Sequence, residues 1–95
     1  MEDLSSRPPA ARATGPDFVQ INTVADVGAG VREARKAMGL TQQGFADLAG
    51  VGRRFVSELE SGKATLEAGK VIAVCRAAGI DVFTARRRET HRVPR

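Results

Sequence analysis

The sequence has few of the residues on which disulfide, metal and thiol chemistry depend. Its 95 residues include one cysteine, Cys75, and one histidine, His91. A single cysteine excludes a disulfide framework and a multi-cysteine zinc site. One cysteine and one histidine together offer too few side chains for a metal site or for Cys/His catalysis. We therefore expect no cofactor and no metal. Cys75 is interpreted as a small buried hydrophobic residue, with a redox sensor as the alternative, and His91 as solvated.

Long hydrophobic runs are also lacking. The longest apolar stretch, residues 71–75, ends at Arg76, whereas a membrane span requires about 20 apolar residues. The acidic start, residues 1–3, is followed by no apolar run, so no signal peptide is predicted. The sequence therefore predicts a cytoplasmic protein with no membrane partner.

Catalytic constellations are missing as well. The sequence contains no nucleophile–base pair, paired carboxylate cluster or phosphate-binding glycine loop, and Gly28-Ala29-Gly30 within a helical pattern is not a nucleotide fingerprint. We predict that the protein is not an enzyme.

Positive charge is in excess, but it is unevenly placed. Lys and Arg number 15 against 11 Asp and Glu, a net charge of +4, and residues 81–95 hold five arginines against two acidic residues. The rest of the chain is nearly balanced, so nucleic-acid binding there would depend on local arrangement, not bulk charge. The basic C-terminal tail, residues 86–95, could be a solubilising segment, a second nucleic-acid contact or an element that binds a protein partner.

The length fits one domain. Proline, glycine and serine clusters without apolar periodicity predict a disordered N-terminal arm over residues 1–17. A helical domain follows over residues 18–79, then a dimerisation strand over 80–85. The short segment 18–21 alternates apolar and polar residues, and it could add a strand or dock on the core.

Apolar residues three or four apart predict a first helix over residues 23–38, capped by Asn22 or Thr23 and ended by Gly39. Gly28 and Gly30 weigh against it, since each costs about 1 kcal/mol relative to alanine in a helix interior. The predicted inner positions are Val24, Val27, Val31, Ala34 and Met38.

Three shorter helices follow. Thr41 caps the second, which ends at Gly50; the third covers residues 53–60; Thr65 caps the fourth, which continues to Gly79. Their predicted apolar positions are Phe45, Ala46, Leu48 and Ala49, then Val56 and Leu59, then Leu66, Val71, Ile72, Val74 and Cys75. Residues 80–84 alternate as a strand does. Because an isolated strand has two unpaired edges, it requires a partner, either residues 18–21 or a second copy of the chain.

The connection between the second and third helices carries the functional prediction. Residues 49–52 join two short helices through a glycine turn, the helix-turn-helix pattern. Arg53 and Arg54 then begin the third helix, where side chains reach base edges in the major groove and arginine presents two parallel donors to guanine. The start of the second helix would face a phosphate. The alternative is that the two arginines are an ordinary solvated pair.

These residues resemble the Xre family, the helix-turn-helix proteins that include the lambdoid phage repressors. The resemblance covers about 50 of the 95 residues and rests on Leu40-Thr41-Gln42, Ala49-Gly50-Val51 and Leu59-Glu60-Ser61-Gly62-Lys63 in fixed register. It implies a mostly α, four- to five-helix lambda-repressor-like DNA-binding domain. Segments 52–60 and 79–82 are more similar to the HipB-type antitoxins, which use a trailing strand to form a symmetric dimer.

The family resemblance implies a homodimer that represses its own promoter by binding double-stranded operator DNA, an inverted repeat. The HipB branch implies in addition that the protein binds and restrains a kinase-like toxin. The implied base-reading residues are Gln43, Arg53, Arg54 and Ser57. The implied phosphate contacts are Thr41, Gln42, Ser61 and Lys63; the structural ion pair is Arg35 and Glu60; the dimer strand contains Ile80, Val82 and Phe83. Gly44 and Phe45 depart from the family pattern, which raises the question of how stable the second helix is.

Two alternatives to an antitoxin remain open. The chain could be a stand-alone transcriptional regulator, or a protein-interaction module that mainly neutralises a toxin.

Overall fold

The computed structural model describes residues 18–87. They form four α-helices, α1 (Val24–Ala37), α2 (Gln42–Ala49), α3 (Arg53–Glu60) and α4 (Ala68–Ala77), so the predicted mostly α class is confirmed. The predicted N-terminal arm, residues 1–17, lies outside the described residues, as do residues 88–95 of the basic tail, which include His91.

Helix α1 begins with a capping box. The Thr23 hydroxyl accepts from the Asp26 N–H, while the Asp26 carboxylate accepts from the N–H groups of Thr23 and Asn22 at 3.0 and 2.8 Å. These backbone hydrogen bonds lower the pKa of Asp26 below its usual value. Of the two predicted caps Thr23 is therefore the one used, because the residue three positions beyond it is acidic.

Gly28 lies where α1 crosses the end of α3. It is buried, and a Cβ atom at this position would overlap the backbone carbonyl oxygen of Leu59 and lie 2.9 Å from its carbon. A Cβ at Gly30, in contrast, would meet only the Ile80 side chain at 3.8 Å. Gly28 therefore permits the close α1–α3 packing, a reason for its presence in a helix that the sequence pattern did not supply.

The turn between α2 and α3 depends on Gly50. Its φ of 77° lies in the left-handed region, and its N–H donates to the Ala46 carbonyl at 2.9 Å. Glycine adopts this conformation without steric cost. Val51 N–H donates to the same carbonyl at 3.0 Å, and Gly52 becomes the N-cap of α3.

Helix α4 begins later than predicted. Its N-cap is Glu67, not Thr65, and no side-chain hydrogen bond caps it. The Glu67 carbonyl instead accepts from the N–H groups of Lys70 and Val71, both at 3.1 Å. Leu66 packs against the core from the loop that precedes the helix. The prediction was wrong because a threonine before an apolar run is not enough to place a cap when Leu66 is held outside the helix.

The core lies between the four helices. Its buried residues are Val31, Phe45, Ala46, Val56, Leu59, Val74, Cys75 and Ala78. Three predicted inner residues are instead largely exposed: Met38 at 43%, Leu48 at 59% and Ile72 at 48%. Met38 is the C-cap of α1, and Ile72 lies nearly half a turn from Val74 around α4. Burial raises the pKa of the Cys75 thiol, which agrees with the interpretation of Cys75 as a small buried hydrophobic residue.

Among residues 18–87 the structure contains no β-strand, so the strand predicted over 80–84 is not formed within one chain. Ile80 is half-buried and its N–H donates to the Cys75 carbonyl at 2.9 Å. The predicted segment 18–21 approaches through side chains: the Phe18 and Phe83 rings lie 5.3 Å apart between centroids. Ring contact supplies no backbone partners, which a strand requires.

None of the helices in residues 18–87 has the length and apolar character needed to cross a bilayer.

Candidate nucleic-acid interface

The starts of α2 and α3 lie side by side, joined by one amide. Gln42 begins α2, and its Nε2 donates to Glu60 Oε1 at 3.1 Å. Its Oε1 accepts from Arg53 Nη1 at 3.4 Å. Because Arg53 begins α3 and Glu60 ends it, the Gln42 side chain links the N-terminus of α2 to both ends of α3.

Beneath this amide lies an ion pair between Arg35 and Glu60. Arg35 Nε donates to Glu60 Oε2 at 2.7 Å, and Nη2 donates to Oε1 at 3.0 Å. Arg35 Nη1 also donates to the Leu40 carbonyl at 2.7 Å. The side chains are only 10% and 4% exposed. The pair therefore ties α1 to the end of α3 and to the α1–α2 turn, and it supports the surface from below.

Both partners are held in their charged forms. Burial raises the pKa of the Glu60 carboxyl, but hydrogen bonds from Arg35 and Gln42 and the charge of Arg35 lower it more, so it stands below its usual 4.5. The hydrogen bond to Glu60 raises the pKa of Arg35, against a smaller lowering by burial. The network is therefore fully ionised near neutral pH.

Arg53 and Arg54 are both exposed at the start of α3, and the Arg54 side chain is 87% exposed. Gly52 caps the helix without a side-chain hydrogen bond. Within the described residues, the N–H groups of Arg53 and Arg54 have no acceptor. The positive end of the helix dipole therefore points outward beside two guanidinium groups.

The predicted residues at the start of α2 have different local partners. The Thr41 hydroxyl accepts from the Gly44 N–H at 3.0 Å and keeps its own proton for another acceptor. Gln43 Nε2 donates to Asp47 Oδ1 at 2.9 Å along α2. The backbone N–H groups of Gln42 and Gln43 have no acceptor within residues 18–87, so they are available to an anion.

Glu58 organises the end of α3, a role that the sequence analysis missed. Its backbone carbonyl accepts from Ser61 Oγ and from the Lys63 N–H, both at 3.0 Å. Its carboxylate Oε2 lies 3.2 Å from Arg54 Nε and 3.5 Å from Lys63 Nζ. The i, i+4 spacing of Arg54 and Glu58 was visible in the sequence and is typical of such a pair.

Ser57 and Ser61, the remaining predicted contact residues, are less available to bind DNA. Because the Ser61 hydroxyl donates to the Glu58 carbonyl, it must break that bond before it can donate to a phosphate. Ser57 is half-buried one turn along α3. The surface that stays open combines two arginines, one lysine and the N-termini of two adjacent helices, donors that suit base edges and phosphate oxygens.

Comparison with known proteins agrees with this geometry. A family model described as helix-turn-helix matches residues 31–83, which include α2, the glycine turn and α3. An uncharacterized HTH-type transcriptional regulator, y4mF of Sinorhizobium fredii, is 46% identical over 63 residues, which are 66% of this chain and 83% of that protein. The chain belongs to the helix-turn-helix family of transcriptional regulators.

A solved structure supports the same fold for this helix-turn-helix protein. The crystal structure of the clp gene regulator ClgR from C. glutamicum is similar, with a TM-score of 0.56 and 28% identity. The similarity covers 67% of this chain and 82% of that one. The Xre-like resemblance drawn from the motifs is therefore confirmed at the level of the helix-turn-helix family.

Proposed function

We propose that this helix-turn-helix protein is a sequence-specific repressor that binds operator DNA through the start of α3. The observation that carries the proposal is the exposed pair Arg53 and Arg54 at the N-terminus of α3, which no side chain caps, beside the N-terminus of α2. Family membership, with residues 31–83 matched, supports the same function.

In the proposed mechanism each subunit places the start of α3 in a major groove. Arg53 and Arg54 read guanine edges, with Gln43 and Ser57 beside them. Four residues set the register on phosphates: Thr41, Gln42, Ser61 and Lys63. Gln42 does so with its backbone N–H, since its side-chain amide is bonded to Glu60 and Arg53. Two-fold symmetric subunits would engage half-sites one helical turn, about 34–36 Å, or a multiple of it apart.

Substitution of Arg54 and substitution of Lys63 should affect DNA binding differently. Arg54→Ala should cost about 1–3 kcal/mol on the operator and relax the preference for one base pair, because a base contact is lost. Lys63→Ala should weaken binding to all duplexes alike and reduce the salt slope by about 1, because a phosphate contact is lost. Fluorescence anisotropy at several salt concentrations measures both; equal salt slopes for Lys63→Ala and wild type would contradict the assignment.

The autoregulatory form of the proposal has a direct experiment. A labelled duplex from upstream of the gene should bind at least about 10³-fold more tightly than a scrambled duplex at physiological salt. Equal binding of the two duplexes would count against repression of its own promoter.

We further propose that the regulator is a homodimer joined through residues 80–85. Apolar side chains are exposed there, Val82 at 60% and Phe83 at 50%, and residues 80–85 form neither a helix nor a strand within the described chain. Pairing with the same segment of a second copy would bury the apolar side chains and give the backbone strand partners. Sedimentation of the full chain should give a dimer at micromolar concentration, and Phe83→Asp should shift it to monomer; a monomeric wild type would refute this.

The finest form of the proposal is that the protein is the antitoxin of a HipBA-like pair. It rests on the resemblance of segments 52–60 and 79–82 to HipB-type antitoxins. If it is right, the neighbouring gene encodes a kinase-like protein that co-purifies with this chain when both are expressed. A neighbour of another kind, together with operator binding, would favour a stand-alone regulator. Toxin binding without operator binding would favour an interaction module.

A further inference from the structure

Glu58 places a negative charge among the cations that the proposed DNA surface would use. One carboxylate oxygen, Oε2, lies within 3.2 Å of Arg54 Nε and 3.5 Å of Lys63 Nζ. The Glu58 side chain is 27% exposed, whereas those of Arg54 and Lys63 are 87% and 48% exposed. The carboxylate thus lies below two exposed cations and contacts both.

The atoms involved leave part of Arg54 free. Glu58 contacts Nε, at the base of the guanidinium group, so the two Nη groups at its tip keep their parallel donors. Those are the donors that can pair with O6 and N7 of guanine. Glu58 therefore braces Arg54 in a way that is compatible with base reading.

The same contacts work against indiscriminate binding. Non-specific affinity for DNA comes from cations that neutralise phosphates. A carboxylate that shares its charge between Arg54 and Lys63 weakens both for that purpose and itself repels phosphates. The Glu58 carboxylate therefore lowers DNA affinity most in complexes that contain phosphate contacts alone.

We propose that Glu58 is a specificity-determining residue, which lowers non-specific DNA binding by competing with phosphates for Arg54 and Lys63 while it holds Arg54 for base reading. This inference rests on the proposed function. It attributes part of the difference in binding affinity between operator and random DNA to the Glu58 side chain, in addition to the contacts that the cations themselves make.

The test compares Glu58→Gln with wild type on two duplexes, the operator obtained by selection and a scrambled one. Each exposed ion pair that is lost corresponds to up to roughly a fivefold change. We expect affinity for the scrambled duplex to rise about five- to tenfold. Operator affinity should change less than about threefold, because the gain at Lys63 is offset there by the loss of the contact that holds Arg54 for base reading. The salt slope on scrambled DNA should steepen by up to about 0.9.

The matched control is Glu33→Gln, which removes the same charge from an exposed position on α1. If it raises scrambled-duplex affinity as much as Glu58→Gln does, the effect is one of net charge and the inference is overturned. An unchanged operator-to-scrambled ratio in Glu58→Gln also overturns it while leaving operator binding intact. If the wild type binds no duplex at low salt, the proposed function itself fails and this inference with it.

Discussion

Gly28→Ala is expected to destabilise the protein by about 3 kcal/mol or more. Adding atoms to a packed site typically costs about 1–3 kcal/mol, and here the new Cβ would overlap the backbone carbonyl of Leu59. A side chain could rotate away, but a helix backbone cannot without moving α3. The same carbonyl accepts from the Gly62 N–H at 3.0 Å, so the turn after α3 would be disturbed too. Urea unfolding measures the loss.

Gly30→Ala is the matched control for that prediction. It makes the same chemical change two residues away in α1, where the new Cβ meets only Ile80 at 3.8 Å. Higher helix propensity should stabilise this variant by about 0.5–1 kcal/mol. If the two alanine variants unfold at the same urea concentration, the close contact between α1 and α3 is not a determinant of stability.

Arg35→Met is expected to cost about 3–5 kcal/mol, because it leaves the Glu60 carboxylate buried without its cation. The Leu40 carbonyl also loses its donor. Small domains are stable by roughly 0.05–0.15 kcal/mol per residue, or about 5–14 kcal/mol for 95 residues, so this loss is a large share of the total stability. We expect Arg35→Met to unfold at a clearly lower temperature than the wild type by circular dichroism.

Two comparisons separate loss of the ion pair from simple loss of packing. The double variant Arg35→Met/Glu60→Leu removes the unpaired charge and should recover most of the stability, since apolar replacements of buried pairs are often neutral. A double variant no more stable than Arg35→Met would contradict this.

The pH dependence gives an independent check. Because the folded-state pKa of Glu60 lies below its usual 4.5, the contribution of the pair to the free energy of unfolding is complete above that value. It is lost as pH falls through the folded-state pKa. The acid slope should be smaller in the double variant, in which Asp26, whose pKa is also lowered, still contributes.

The helix-turn-helix core was predictable because its determinants are local. Thr41 caps α2, Gly50 ends it in the left-handed conformation, and α3 covers the predicted residues 53–60. Each depends on a residue type suited to one backbone conformation. The apolar spacing of α1 likewise predicted Val31 as a core residue, which is fully buried.

What could not be predicted depends on contacts distant in sequence. Gly28 appeared to weaken α1, and only the position of the Leu59 carbonyl shows why glycine is required there. The sequence predicts a phosphate contact for Gln42, but it does not indicate that the side-chain amide bridges Glu60 and Arg53 in the fold. Leu48, an apolar residue of α2, is 59% exposed, because α2 buries only the face that carries Phe45 and Ala46.

The sequence predicts the cationic residues of the surface around α3 but not the part that the Glu58 carboxylate has in it. Arg53, Arg54 and Lys63 were recognised from their place in the motif, and the structure leaves all three exposed. The sequence motif does not indicate a role for Glu58, although its carboxylate contacts two charged groups that lie nine residues apart in sequence. The turn after α3 brings Lys63 back to Glu58, and such a return cannot be derived from i, i+4 spacing alone.

Selection of bound duplexes from a random DNA library, run in parallel with Arg53→Ala/Arg54→Ala, tests most directly whether α3 reads operator DNA. We expect the wild type to enrich one inverted repeat with half-sites about one helical turn apart, and the variant, equally folded by circular dichroism, to enrich none. If the wild type enriches nothing at low salt, where phosphate contacts are strongest, or if the variant enriches the same repeat, operator recognition by α3 is contradicted.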